Sequence, residues 1–135
     1  MWSHEESIVT TASPERIWAL FSDVVGWKKW NAGIENIELH GPFAKGTQFS
    51  MQPPGEDVFL STLVEVVPHR GFTDETVIDG TQVLVFHEIS ALRDGGAKIT
   101  YRTEITGPDE AQFGPFVTGD FPQVLAALKE AAERS

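Results

Sequence analysis

The sequence predicts an α+β fold: a seven-stranded antiparallel sheet covered by one long C-terminal helix, with two short helices between the first and second strands. Three observations predict it. From Ile34 to Ile105, successive segments of broadly alternating character are joined mainly by short Gly-, Pro- and Asp-rich turns, the pattern of hairpin-linked antiparallel strands. From Pro122 onward, Val124, Leu125 and Leu128 among Ala, Lys and Glu form an amphipathic helix, the one element long enough to cover a sheet face. Near the start, a β-branched run meets Ser13-Pro14-Glu15, a helix-start signal.

Each element has its own local cause. Glu5 to Ala12 reads as a strand. Ser13 can cap free N–H groups and Pro14 suits the first helical position. Ile17, Leu20, Phe21 and Val24 recur at helical spacing, with Trp18 beside Phe21, and Gly26 is expected to end the helix. Trp27 to Trp30 predicts a second helical turn, closed by Asn31-Ala32-Gly33. Ile34 to His40 reads as a strand, followed by turns at Gly41-Pro42 and Lys45-Gly46. Thr47, Phe49 and Met51 alternate with Gln48, Ser50 and Gln52, a half-buried strand closed by Pro53-Pro54-Gly55. In the next strand Val58, Leu60, Thr62, Val64 and Val66 are the expected inward face, and Pro68 ends it. Gly71 to Ile78 is a weaker strand leading to a tight turn at Asp79-Gly80. Gln82 to Leu92 places Val83, Val85, His87, Ile89 and Ala91 on one face, before a turn at Asp94-Gly95-Gly96. Ile99, Tyr101, Thr103 and Ile105 then alternate with Lys98, Thr100, Arg102 and Glu104, the clearest alternation in the chain. Gly107-Pro108 ends the sheet. Gly114, Pro115, Gly119 and Pro122 predict a break or kink in the first half of the final helical region.

Composition narrows the function. The length of 135 residues suits a single domain spanning 1–135. A formal charge of −10 argues against nucleic acid as partner and against an anionic membrane surface. There is no cysteine, so disulfides, thiolate nucleophiles and iron–sulfur clusters are excluded. No apolar run approaches the ~18 residues of a membrane span, and the N-terminus lacks signal-peptide character, so a cytoplasmic protein without integral membrane association is expected. His4, His40, His69 and His87 show no metal-ligand spacing, no G-x-S-x-G occurs, and no cofactor is implied. Gly41 to Thr47 spaces its glycines like a phosphate-binding loop, but Gln48 follows and the Lys-Ser/Thr pair is missing, so it reads as a turn.

Four stretches resemble the START-like, helix-grip superfamily, which includes the Bet v 1 allergens and the polyketide cyclase/dehydrase group. They are Ala12 to Asp23; Trp27-Lys28-Lys29-Trp30-Asn31; Gly95 to Tyr101; and Gly114-Pro115-Phe116 followed by Leu125 to Glu133. The resemblance covers nearly the whole chain. It implies a curved seven-stranded sheet gripping the C-terminal helix, with a cavity between them for an apolar or amphipathic small molecule. It leaves a homodimer open. Most members bind or carry, while some cyclise or dehydrate polyketides, so fold alone does not decide function.

Several residues are candidates for such a site. His87 falls on the apolar face of its strand, and the Asp94–Gly96 turn should bring it near Tyr101 or Thr103. The pair reads either as acid/base and orienting groups of a cyclase or dehydratase, or as a satisfied polar pair lining a pocket. Thr62, Thr76 and Thr103 are further polar candidates, although Thr is also simply a good strand residue. Trp30, Phe49, Met51, Leu60, Phe72 and Val85 are expected apolar lining. Phe113, Phe116, Val117 and Phe121 sit in a Gly- and Pro-interrupted segment that suits a gate or a kinked helix entry. Asp74, Glu75 and Asp79 resemble a carboxylate cluster but are expected on a solvated hairpin edge. Lys28 and Lys29 read as a solvated turn or as a greeting for an anionic ligand. The leading functional reading is binding of a small apolar or aromatic, polyketide- or lipid-like molecule. The alternatives are a cyclase/dehydratase and a partner-protein regulator exposing Trp2, Trp27 and Phe43.

Overall fold

A computed structural model describes residues 1–134. Strand β1 (Trp2–Thr10) is followed by α1 (Pro14–Ser22) and a 3-10 helix (Val24–Lys29). Then come β2 (Asn36–Leu39), β3 (Gln48–Gln52), β4 (Phe59–Val67), β5 (Gly71–Ile78), β6 (Thr81–Ala91) and β7 (Ala97–Thr106). Helices α2 (Glu110–Thr118) and α3 (Phe121–Glu133) close the chain. The seven strands form one curved antiparallel sheet in the order β1-β7-β6-β5-β4-β3-β2, so the first strand pairs with the last. The α+β helix-grip expectation holds.

Local chemistry accounts for the entry region. The Ser13 hydroxyl accepts from the Arg16 N–H, and Pro14 opens α1 as expected. Gly26 does not end α1. The helix stops at Ser22, and the Asp23 side chain accepts from the Gly26 N–H at 3.3 Å to start the 3-10 helix. Trp27 is buried, with its Nε1–H donating to the Phe21 carbonyl at 2.9 Å.

Strand β4 departs from the alternation expected of it. Leu60 is 49% exposed and Val58 57% exposed, while Ser61 and Leu63 are buried. Thr62 pairs with Gln48 and Glu75 on the outer face. A register shift between Leu63 and Glu65 then reverses the phase, so Val66, opposite Phe72, packs against the core. The sequence here carries apolar residues in both phases, and the bulge uses each phase in turn. Ser61 tolerates burial because its hydroxyl and that of Thr76 share a hydrogen bond at 2.6 Å.

The expected break in the final region falls at Gly119–Asp120, while the chain stays helical through Gly114 and Pro115. Gly114 is required by packing. It lies against the Trp2 indole, and any Cβ there would overlap that ring. Helix α3 buries Phe121, Val124, Leu125, Leu128 and Ala132 against the core.

Candidate functional site

Antiparallel register assembles a polar row on the helix-facing side of the sheet. Phe72 of β5 lies opposite His87 of β6, and His87 opposite Tyr101 of β7. One step along, Asp74 lies opposite Val85, and Val85 opposite Thr103. Residues directly opposite share a face, so Asp74, His87, Tyr101 and Thr103 all point toward α1 and α3.

These groups are embedded in aromatic rings. His87 stacks on Phe72 with centroids 4.0 Å apart and meets Tyr101 edge-on at 4.7 Å. Phe72 packs on Trp27 at 5.4 Å, on Phe21 at 5.1 Å and on Phe43 at 5.2 Å. Phe121 meets Tyr101 at 5.5 Å. The space between sheet and helix is thus largely occupied by the protein's own side chains.

Hydrogen bonding separates structural groups from those with unused capacity. The Thr103 hydroxyl donates to the Leu84 carbonyl at 2.8 Å, and Thr76 is paired with Ser61. Both threonines are thereby committed to the fold. His87 and Tyr101 are close but not hydrogen-bonded to each other; His87 Nδ1 instead approaches the Phe72 carbonyl at 3.3 Å. His87 Nε2 lies 3.9 Å from Asp74 Oδ2. Among the described residues, no hydrogen-bond donor reaches the Asp74 carboxyl.

Asp74 corrects the expectation of a solvated edge: it is only 8% exposed. Glu75, its neighbour, points to the outer side and accepts from Gln82 at 2.6 Å, and Asp79 sits in the exposed turn. The signal was present in the sequence, because Asp74 lies two residues from both Phe72 and Thr76 and so shares their face.

Burial without a countercharge sets the protonation states. Desolvation raises the Asp74 carboxyl to about 7. Desolvation lowers His87 to about 3, partly opposed by its bond to the Phe72 carbonyl. The Tyr101 hydroxyl is pushed up by burial and by the charges of Asp74 and Asp120. At neutral pH, His87 and Tyr101 are therefore uncharged, and Asp74 is held near half-protonation.

The remaining candidates divide. Phe49 and Trp30 are buried, and Met51, Val85 and Val117 pack against the same core. Phe113 is half-buried on α2. Leu60 and Thr62 face the outer side, and Phe116 is 73% exposed, so these three do not line the interior. The aromatics named for a partner surface are also covered: Trp27 is in the core, and Trp2 and Phe43 are half-buried under α2 and against Phe72. An open cleft of about 250 Å³ lies elsewhere, between the end of the 3-10 helix and the start of α3.

Comparison with known proteins bears on both fold and site. A family model described as polyketide cyclase / dehydrase and lipid transport matches residues 1–133. Comparison with curated proteins finds no match. Among solved structures, protein MLL2253 from Mesorhizobium loti superposes with a TM-score of 0.83 at 13% identity, covering 99% of this chain and 98% of that one. Norcoclaurine synthase from Thalictrum flavum gives 0.77 at 16% identity, covering 99% and 87%. The Aha1 dimer from Colwellia psychrerythraea gives 0.76 at 16% identity, covering 99% and 98%. At such identities these likenesses speak for the fold alone.

Proposed function

The chain belongs to the polyketide cyclase/dehydrase and lipid transport family, and on that premise we propose that it binds a small apolar or aromatic molecule between its sheet and C-terminal helix. The single observation carrying this reading is the buried Asp74 carboxyl with no donor, set beside His87 and Tyr101 in an aromatic interior. Its oxygens keep a trace of solvent contact and accept no protein hydrogen bond among the described residues, so a ligand's donor has an open place there. A ligand with an apolar body and one polar end supplies it. The whole of 1–135 acts as one binding domain.

Entry requires the aromatic fill to part, and the corner between α2 and α3 suits that motion. Pro115 removes an internal hydrogen bond from α2, and the helix breaks at Gly119–Asp120. Phe121, just beyond the break, covers Tyr101. Movement of this corner would uncover the polar row.

A second reading, a cyclase or dehydratase, rests on a different observation: His87 Nε2 and Asp74 Oδ2 lie 3.9 Å apart, the imidazole unprotonated at neutral pH and the carboxyl close to half-protonated. Native mass spectrometry of gently purified protein, followed by denaturation, tests binding first. A defined apolar or aromatic adduct that is weakened by His87→Ala and Tyr101→Phe supports the binding reading, and the same spectrum reports whether the protein is a homodimer. Adducts indifferent to both substitutions would overturn the assigned site. Conversion of the released molecule by wild type, lost in His87→Ala with binding retained, would favour the enzyme.

A further inference from the structure

The cleft of about 250 Å³ lies outside the aromatic core. Trp30, Val124 and Ala127 form apolar wall, while Lys28, Lys29 and Asp120 add charge at its rim. Trp30 is 6% exposed, and its Nε1–H is sealed from solvent without an acceptor. Unpaired buried donors are rare in folded proteins. Lys28 and Lys29 are exposed and form no ion pair among the described residues. Asp120 makes no side-chain cap bond, which leaves the first turn of the 13-residue helix α3 uncapped. Two unpaired ammonium groups and one buried indole donor thus meet at this cleft, although the chain as a whole is acidic. Asp120 is exposed, and partial desolvation against the cleft raises its carboxyl above the ordinary value.

We propose that this cleft binds the carboxylate of a small aromatic or otherwise apolar acid. The Trp30 ring, Val124 and Ala127 pack on its body. Lys28, Lys29 and the Trp30 Nε1–H meet its anion, the last after a small outward shift of the indole edge. An ammonium ligand would suit Asp120 but would leave the indole donor unpaired and face two lysines. The site is distinct from the Asp74–His87–Tyr101 row. The two share no residue: Trp30 reaches His87 only through Trp27 and Phe72, at ring spacings of 6.3, 5.4 and 4.0 Å, although the Asp120 charge is felt at Tyr101.

Indole proton–nitrogen NMR spectra of the full chain test this, because four tryptophans give four resolvable signals. Trp30→Phe assigns the relevant one or, where that variant fails to fold, through-bond NMR does. The probes are 2-naphthoate, 2-naphthylmethanol and 2-naphthylmethylamine. Naphthoate should move the Trp30 signal downfield saturably, and the Lys28→Gln/Lys29→Gln double variant should weaken its binding roughly three- to ten-fold, as expected for two exposed charges. Asp120→Asn should tighten it, and His87→Ala should leave it unchanged. Equal or tighter binding of the alcohol or amine overturns the proposal. So does an unmoved Trp30 signal, or affinity indifferent to the lysines. Loss of binding in His87→Ala would place the probe in the interior instead and refute a separate cleft site.

Discussion

Replacing Asp74 by Asn isolates the energetic consequence of its burial. In the folded protein its carboxyl titrates at about 7 against a reference of 3.8, which at 1.36 kcal/mol per pH unit amounts to about 4 kcal/mol. The sign follows from proton binding. Below pH 3.8 the carboxyl is protonated in both states and burial costs no charge. As pH rises toward 7 the unfolded chain loses its proton while the folded one keeps it, so stability falls. His87 works in reverse. Its folded value of about 3 lies below the reference of 6.5, so its contribution is intact above 6.5 and is lost as pH falls toward 3. Between about pH 4 and 6.5 the two slopes cancel, and their joint contribution is flat. Asp74→Asn is nearly isosteric and removes only the carboxyl's titration. Urea unfolding followed by tryptophan fluorescence should give variant and wild type similar stability near pH 4, apart from the constant cost of burying an amide. The variant should gain about 4 kcal/mol relative to wild type on going to about pH 7.5. Its own stability should rise with pH between those limits, driven by His87. If the difference between variant and wild type is the same at both pH values, Asp74 is not a buried, unpaired carboxyl and the interior site loses its basis.

Other outcomes follow from packing. Gly114→Ala should destabilise the fold by about 1–3 kcal/mol, because its methyl collides with the Trp2 indole; thermal unfolding measures this. Ser61→Ala should cost about 1–3 kcal/mol in the same assay by leaving the Thr76 hydroxyl buried without its partner. In deuterium exchange, Phe113 to Phe121 should exchange faster than Val124 to Leu128; equal protection would remove the α2–α3 corner as a gate.

Much of the fold was legible because local rules and global packing agree. Ser13-Pro14 could only begin a helix well, and the alternation of Ile99, Tyr101, Thr103 and Ile105 had only one apolar phase, so β7 was readable to its face. The adjacency of His87 and Tyr101 followed from the same alternation carried across one hairpin. In β4, by contrast, both phases carry apolar residues, and a bulge decided which of Leu60 and Leu63 turned inward. Asp74 was misplaced because charge suggested solvent while its parity with Phe72 dictated burial, and parity won.

The sequence by itself determined the element order, the antiparallel class and the polar pair at His87 and Tyr101, since these rest on periodicity and on contacts across neighbouring strands. Only the tertiary structure decided that Asp74 joins them, that Thr76 and Thr103 are spent on the fold, and that aromatic rings fill the interior. It also decided that Trp30, Lys28 and Lys29 meet α3 across an open cleft. Those outcomes depend on side chains far apart in the chain meeting at a fixed distance, and periodicity along one strand carries no information about distance between layers.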